Sequence, residues 1–501
     1  MNQLKTGIML SYLSIFANVI VGIVYTPIML RFLGQSEYGL YSLCVSMIGY
    51  LALFNFGFSS AYVRYYSLFK AKDDELKIKR LNGLFVIVFS IIAILVIISG
   101  SIIIFNLQFI LGDKFTEQEF MTAKILMCIM IFNLALTMPS SVFSSFITSR
   151  EKFVFQKGIE VAKKVCNPVL TLPLLFMGYH SIAVVLVASF FTIVSFGLNI
   201  WYCRYILKIQ FEFNNFDILL LKDVFIFSFF IFLQILMDKM NWEINKFIVG
   251  RYCGSIAIAI YAVGANLNMF FIEFSTAISN VFVPRINKLI AEKQGNEHIS
   301  ILFSKVARIQ FIVVFYIFTS FVFFGQKFIF FWAGEGYANS YIIALLLMTP
   351  IVLPLTETLG IEILRAKNLH KFINSVYIGI CIVSVAITIP LCQRYGEIGG
   401  AMGTFITMLF AHVIVTNIYY HFKAKIDIKL YFREIFKFIP ASILPCLLGL
   451  FVLMEIQIKT VYEFIFWVGM YTLIYMFSYW KIGVNKYEKD MFYSILRKVW
   501  K

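Results

Sequence analysis

A stripe of charged side chains interrupts one of the most apolar parts of the sequence. Lys239, Glu243 and Lys246 follow helical spacing, so one face of a helix carries all three and Glu243 can pair with either lysine. Asp238 lies about 100° away, on the neighbouring face. Charges near the centre of a membrane cost at least about 2.5–3.5 kcal/mol each, so this stripe should face a wet cavity or other helices. Two ammonium groups beside one carboxylate suit an anionic ligand, although an internally neutralised structural pair is the alternative.

Weaker polar stripes at helical spacing occur in other apolar segments, and they provide further candidate site residues. We expect the substrate to be contacted by Lys239, Glu243, Lys246, Trp242, Asn18 and Asn266. The acids that could bind a coupling ion, a proton or a sodium ion, are Asp238, Glu273 and Glu357. The alternative for Glu273 and Glu357 is burial in a protonated, hydrogen-bonded form. No metal-ligand spacing, enzyme motif or cofactor motif is present in the sequence, so we expect neither a catalytic site nor a cofactor.

The composition predicts an all-α integral membrane protein. Of the 501 residues, 60% are hydrophobic and 14% are charged, far from the usage of soluble domains. Apolar runs of about 20 residues recur along the chain and fit about 14 transmembrane helices, in one membrane domain. The eight cysteines are scattered, which predicts neither disulfides nor a zinc site. The first span, from about Thr6 to Leu30, is too long for a signal-peptide core and should be retained.

The net charge of +16 does not indicate a nucleic-acid partner, because the basic residues cluster in alternate loops between apolar spans. This alternation follows the positive-inside rule and predicts that both termini lie in the cytoplasm. Membrane lipids are the partners that such loops contact.

Three short patterns recur in the same order at shifts of about 215–220 residues, which indicates an internal repeat. They are RFLG at Arg31 and RYCG at Arg251, REK at Arg150 and RAK at Arg365, and NIWY at Asn199 and NIYY at Asn417. We therefore predict two parallel six-helix lobes, residues 1–210 and 211–425, because an even number of spans leaves both halves in the same orientation. Residues 426–501 should add two further helices and a cytoplasmic tail.

Four longer motifs resemble the polysaccharide-biosynthesis branch of the multidrug, oligosaccharidyl-lipid and polysaccharide exporter superfamily. They are RFLGQSEYGLY from Arg31, NFGFSSAYVR from Asn55, GQKFIFFWAG from Gly325 and YGEIGGAMG from Tyr395. This resemblance implies two six-helix lobes around a central, often cationic cavity. It also implies a Wzx-type flippase that moves undecaprenyl-pyrophosphate-linked oligosaccharide across the bacterial inner membrane by alternating access. Relatives often carry an acid five residues before the glycine that corresponds to Gly250, where this chain has Asn245.

We therefore expect a non-enzymatic flippase for O-antigen or capsular repeat units, with a polysaccharide polymerase and a chain-length regulator as candidate protein partners. Three transporter alternatives remain open: a cation-coupled drug exporter, a teichoic-acid exporter and a peptidoglycan-precursor lipid flippase. From a different class, the chain could be a non-transporting scaffold of a glycan-assembly complex. The lysines argue against the drug exporter, because cationic substrates require an acidic cavity.

Overall fold

The computed structural model describes residues 3–214, 218–292, 295–367, 369–453, 456–490 and 493. Within these ranges the regular secondary structure is helical and contains no strand, so the predicted all-α class is confirmed. The helices of the first part of the chain are α1 Gln3–Leu51, α2 Phe58–Lys70, α3 Glu75–Phe105, α4 Leu107–Leu111, α5 Glu117–Ser149, α6 Phe153–Phe176, α7 His180–Trp201, α8 Ile218–Cys253 and α9 Ser255–Ala291. The remaining helices are α10 Asn296–Trp332, α11 Asn339–Met348, α12 Val352–Thr356, α13 Thr358–Ala366, α14 His370–Met408, α15 Asn417–Phe422, α16 Ile428–Phe436, α17 Ile439–Leu448 and α18 Val461–Ser478.

The chain forms two compact units. The first unit contains Met1–Ala262 and Thr388–Gly400, and the second contains Val263–Ile387 and Ala401–Lys501. Two long helices, α9 and α14, each contribute residues to both units. The six-helix repeat boundaries that the sequence suggests, 1–210, 211–425 and 426–501, stay a prediction.

Ten helical segments among the described residues are long and apolar enough to cross a membrane, or eleven if α16 and the bent continuation of α17 form one span. Two of these segments, 54 and 48 residues long, contain the breaks at Gly34 (φ 71°) and Gly396 (φ 61°). At about 1.5 Å per residue, each is longer than the hydrocarbon core needs for one crossing. The protein is thus a multi-pass membrane protein, and the number of 14 helices stays a prediction.

The longest apolar helices expose aliphatic side chains that would be unfavourable in water. On α3, Ile94 and Ile98 are at least half exposed while Phe89 and Val96 are fully buried. An apolar surface on this scale is compatible with lipid as the solvent, because lipid tails are as apolar as the side chains. The side of α3 that packs inside the first unit is therefore distinct from the side that meets the bilayer.

Polar caps fix the beginnings of helices near the ends of the spans. The Asp74 carboxylate accepts a hydrogen bond of 3.0 Å from the backbone N–H of Lys77, and this bond holds the pKa of Asp74 below its usual range. At the start of α5, Thr116 and Glu119 form a capping box in which each side chain accepts from the other residue's backbone N–H. These caps satisfy backbone N–H groups that the first helical turn leaves without partners.

The second unit contains a buried ion-pair cluster around Arg308 of α10. Arg308 is 3% exposed and donates from Nε to the Glu488 carboxylate at 2.7 Å, and Glu488 is 4% exposed. Its guanidinium also donates to the carbonyl oxygens of Glu434 and Gly483 and lies 3.7 Å from the Glu434 carboxylate. This cluster ties α10 to α16 and to the segment after α18, so the C-terminal helices are an integral part of the second unit.

Candidate functional site

The charged stripe of α8 folds as the spacing predicts, and it acquires a partner on α1. Glu243 lies 3.1 Å from the Lys246 ammonium and 3.8 Å from the Lys239 ammonium. The Ser46 hydroxyl on α1 donates a hydrogen bond of 2.7 Å to the same Glu243 oxygen that Lys246 contacts. We call Lys239, Glu243, Lys246 and Ser46 the α8 cluster; all four belong to the first unit.

The two lysines of the α8 cluster are held differently. The Lys246 side chain is 12% exposed and makes the shorter contact with Glu243, whereas the Lys239 side chain is 35% exposed and makes the longer one. Lys239 extends over Gly49 of α1: a methyl group added at Gly49 would lie 3.2 Å from the Lys239 nitrogen. The absence of a side chain at Gly49 therefore leaves the room that the Lys239 ammonium occupies. Lys239 is the more available cation for a ligand.

A second charged cluster lies on α6 and also uses a serine of α1. Glu160 is 2.7 Å from the Lys157 ammonium and 3.1 Å from the Lys164 ammonium. Ser14, which is 2% exposed, donates a hydrogen bond of 2.9 Å to Glu160 and accepts one of 2.9 Å from Lys164. Lys163 donates to the Thr192 hydroxyl on α7 at 3.1 Å. We call Lys157, Glu160, Lys163, Lys164 and Ser14 the α6 cluster.

The two clusters together are cationic. They contain five lysines and two glutamates, which is an excess of three positive charges within the first unit. Each of the two glutamate carboxylates lies within 4 Å of two ammonium groups, which neutralise it. The remaining ammonium charge is available to an anion, and a bidentate or branched anion such as a phosphate matches several such donors at once.

The structure also places the other predicted site residues. Trp242 is half-buried one turn from Lys239, and Asn18 is half-buried one turn beyond Ser14 on α1. Both belong to the first unit, whereas Asn266 and Glu273 are half-buried on the part of α9 that belongs to the second unit. The side chain of Asp238 lies outside what the structure describes, so its predicted coupling role stays a prediction.

Of the two predicted acids whose side chains the structure describes, Glu357 is the more deeply buried. It lies between α12 and α13 in the second unit and is 2% exposed. The Asn417 amide nitrogen donates to a Glu357 oxygen at 3.0 Å, and the Tyr431 hydroxyl is a second hydrogen-bonding partner. Tyr431 in turn is 2.8 Å from the Thr356 hydroxyl. In the part of the chain that the structure describes, Glu357 forms no ion pair, and a lone buried charge is costly.

A π-helical segment, Leu409–Thr416, directly precedes Asn417 and supplies further polar groups. Tyr377 of α14 contacts His412 at 3.1 Å and Thr416 at 3.0 Å from this segment. π-Helical turns are rare and often occur at functional sites, because they widen a helix and change the direction of its side chains. Here the π-helical segment orients hydroxyl and imidazole groups within the second unit, while the residue that follows it contacts Glu357.

A third cationic region borders a cavity of ≈ 380 Å³ in the first unit. Its charged lining residues are Lys70, Lys79, Arg150, Lys208, Asp73 and Glu75. Most of these side chains are exposed, which is typical of basic loops at the cytoplasmic surface. Among the described residues no group of three or more His, Cys, Asp or Glu side chains could hold a metal ion.

Comparison with known proteins places these features in a family. Residues 4–290 match the family described as polysaccharide biosynthesis protein, which is more than half of the chain. The chain belongs to the polysaccharide biosynthesis protein family. The sequence motifs described above predict the same family, so the resemblance is confirmed.

Curated relatives and solved structures agree with the family. The chain is 20% identical over 399 residues to a putative O-antigen transporter of Shigella flexneri, covering 78% of this chain and 91% of that protein. This relative is named a transporter rather than an enzyme, in agreement with the sequence prediction.

The family member described here shares its fold with two solved transporters. The lipid II flippase MurJ in an inward closed conformation aligns with a TM-score of 0.72 at 15% identity, covering 98% of this chain and 99% of that one. An inward-facing multidrug resistance transporter of the MATE family aligns with a TM-score of 0.65 at 12% identity, covering 82% and 98%. At these identities the similarity establishes the fold of the chain.

Proposed function

We propose that this protein is a flippase that moves undecaprenyl-pyrophosphate-linked oligosaccharide repeat units across the bacterial inner membrane, for O-antigen or capsular polysaccharide assembly, by alternating access. The observation that carries the proposal is the excess of positive charge in the α8 and α6 clusters of this chain. The chain also resembles a relative that is named a putative O-antigen transporter. An anionic substrate requires this charge, whereas a cationic substrate would be repelled by it.

The physical task is to carry a diphosphate past hydrocarbon. Desolvating a charged group costs several kcal/mol or more even after the protein relaxes, and ammonium groups in a hydrated groove offset much of that cost. Lys239 is the first candidate for this contact, because it is the more exposed lysine and the less closely paired one. Glu243 positions both lysines, and Lys246 joins the contact when its pairing with Glu243 loosens.

The rest of the substrate needs different partners. The polyprenyl tail can remain in lipid, while sugar hydroxyls require hydroxyl or amide groups and the apolar faces of sugars can stack on aromatic rings. Trp242, one turn from Lys239, supplies such a face, and Asn18 of the same unit supplies an amide. Asn266, in the second unit, stays a predicted substrate contact. The loops and both termini are oriented with the basic clusters in the cytoplasm, following the positive-inside rule.

Coupling to an ion gradient involves Glu357 in this proposal. Burial without a cationic partner favours the protonated acid, and the hydrogen bonds from Asn417 and Tyr431 fix the position of that acid. A carboxyl group that exchanges its proton only when the second unit opens would couple proton movement to transport. Glu273, half-buried on α9, is the second acid proposed for coupling to protons or sodium ions.

Reconstitution tests the proposal against its alternatives. Purified protein in liposomes should move a fluorescent undecaprenyl-diphosphate oligosaccharide from one leaflet to the other, and it should not move a cationic dye. Movement of lipid II at an equal or higher rate would assign it instead to peptidoglycan precursors, and export of the dye would support the drug exporter. If none of the lipid-linked sugars moves, the transport proposal is wrong and a scaffold in glycan assembly becomes the better explanation. Association with a polysaccharide polymerase or chain-length regulator is tested separately by co-purification.

A further inference from the structure

The first unit contains a cavity lined almost entirely by uncharged polar side chains. Its volume is ≈ 390 Å³, and it lies among α2, α5 and α6. The lining residues are Ser59, Ser60, Val63, Ser141, Ser144, Ser145, Thr148 and Gln156. We call it the hydroxyl cavity; six of its eight lining residues carry hydroxyl groups, and none is charged.

Part of this lining is organised by hydrogen bonds between helices. The Gln156 amide on α6 donates to the Ser144 hydroxyl at 3.0 Å and accepts from the Thr148 hydroxyl at 2.8 Å. These bonds hold one wall of the cavity between α5 and α6 in a fixed arrangement.

Other hydroxyl groups of the cavity have no partner in the protein. Ser145 is only 4% exposed and lines the cavity, yet its hydroxyl makes no hydrogen bond to any residue that the structure describes. The hydroxyls of Ser59 and Ser60, on the opposite wall, likewise have no hydrogen-bonding partner within the described ranges. These hydroxyls open onto the cavity, so a ligand with its own donors and acceptors can bond to them in place of water.

The α6 residue that lines the hydroxyl cavity, Gln156, directly precedes the α6 cluster in the sequence. Gln156 and Glu160 lie one helical turn apart on the same face, and Lys157 follows Gln156 directly. The distance along the helix from Gln156 to Glu160 is about 6 Å, given the rise of an α-helix. The wall of a neutral, hydroxyl-lined space therefore lies about one helical turn from a group of ammonium donors within one unit.

We propose that the hydroxyl cavity binds the sugar that is joined directly to the diphosphate of a lipid-linked oligosaccharide, while the diphosphate lies at the α6 cluster, a first position on its path that is distinct from the contact proposed for Lys239. This inference rests on the proposed function and adds the part of the substrate that the cavity recognises. A pyranose presents hydroxyl groups around a compact ring, which matches unpaired serine hydroxyls better than an apolar or charged group does. The volume of the cavity is in the range of ligand pockets in general, about 300–1,000 Å³.

Binding of two lipids that differ only in the sugar tests this assignment. The probes are undecaprenyl diphosphate and the same lipid carrying a single N-acetylglucosamine, N-acetylgalactosamine or glucose, and the full-length protein is held in lipid nanodiscs. Wild-type protein should bind at least one sugar-bearing lipid more tightly than the sugar-free lipid. Ser145→Ala removes one unpartnered hydroxyl and should weaken binding of that sugar-bearing lipid by about threefold to tenfold, the range for one hydrogen bond, while leaving the sugar-free lipid unaffected.

A second variant and a matched control distinguish loss of the sugar site from a general folding defect. Ser60→Trp places a large group at an exposed position whose hydroxyl has no partner in the described residues, and it should abolish the sugar preference by filling the cavity. Ser149→Ala removes a hydroxyl from the same helix that does not line the cavity but bonds to the Ser145 carbonyl oxygen at 2.8 Å, and it should bind all the lipids as the wild type does.

The results separate two kinds of failure. If the wild type shows no preference for any sugar-bearing lipid, or if Ser145→Ala and Ser60→Trp both keep the full preference, the hydroxyl cavity holds water only and the inference is wrong. Failure of the proposed function is seen elsewhere, as the absence of any lipid-linked sugar movement in proteoliposomes. A protein that moves these lipids yet shows no effect of the cavity variants would keep its proposed function and lose this site.

Discussion

Replacing Lys239 by glutamine should separate ligand binding from stability. The Lys239 ammonium is 3.8 Å from Glu243 and its side chain is 35% exposed, so this pair resembles a surface salt bridge worth about 0–1 kcal/mol. We therefore expect Lys239→Gln to change the free energy of unfolding by less than about 1 kcal/mol. A hydrogen bond from an ammonium group to a phosphate is worth about 1.5–3 kcal/mol, so affinity for undecaprenyl diphosphate should fall about 10- to 150-fold.

Lys246 should behave in the opposite way. Its side chain is 12% exposed and lies 3.1 Å from Glu243, so Lys246→Gln leaves a largely buried carboxylate with only Ser46 and the more distant Lys239. The expected cost in unfolding free energy is about 2–3 kcal/mol, below the 3–5 kcal/mol of a fully buried pair. Thermal unfolding in detergent measures this difference between the two lysine variants.

Two further variants complete the experiment. Lys124→Gln removes an exposed lysine from α5 of the same unit and controls for the loss of one positive charge. Gly49→Ala adds a methyl group 3.2 Å from the Lys239 nitrogen, which must shift the ammonium and should give a smaller loss of affinity than Lys239→Gln. Binding of undecaprenyl diphosphate to the variants in nanodiscs is the assay. If Lys239→Gln binds this lipid as tightly as Lys124→Gln does, the assignment of Lys239 to the diphosphate is refuted.

Three other predictions follow from the same contacts. Glu357→Gln keeps the size and a hydrogen-bonding oxygen of the buried acid but cannot release a proton. Transport in proteoliposomes should therefore lose its response to an imposed pH gradient. An unchanged response would contradict proton coupling through Glu357. Arg308→Met leaves the Glu488 carboxylate buried without its cationic partner and should lower the free energy of unfolding by about 3–5 kcal/mol. Adding Glu488→Leu should restore much of this loss, as measured by thermal unfolding. Equal stability of the single and double variants would count against a stabilising ion pair between Arg308 and Glu488. Glu160→Gln removes the carboxylate that neutralises Lys157 and Lys164. Binding of undecaprenyl diphosphate should therefore strengthen by about threefold to tenfold at low salt and by less at high salt. Weaker binding would show that Glu160 serves mainly to position the lysines.

The helical class, the family and the geometry of the α8 stripe could all be predicted from the sequence. The α8 stripe is predictable from the sequence because residues three, four and seven apart share one helix face whatever the helix packs against. The partner of the stripe on α1 cannot be predicted in this way. Ser46 is 197 residues from Glu243 in the sequence, and spacing within one helix carries no information about contacts between helices. Ser14 belongs to a polar stripe that the sequence displays, but its bonds to Glu160 and Lys164 of α6 required the fold.

The second unit contains the features that the sequence described least well. Arg308 belongs to one of the basic clusters that predict topology, yet the structure places its guanidinium in a nearly inaccessible cluster with Glu488 and Glu434. Hydropathy cannot distinguish a basic residue at the membrane surface from one that is paired inside the protein. For the same reason, the division of α9 and α14 between the two units has no signal in apolar periodicity, because each continues as one long apolar run across the change of unit.

The ion pair of Arg308 also imposes an order on the synthesis of this protein. The two carboxylates beside Arg308, those of Glu434 and Glu488, lie 126 and 180 residues downstream of it, so α10 is translated well before either of them. During that interval the guanidinium must stay hydrated, because leaving it unpaired in an apolar interior costs several kcal/mol. The second unit can therefore reach its final packing only once translation has passed residue 488, and a chain interrupted earlier keeps a guanidinium that lacks its Glu488 partner.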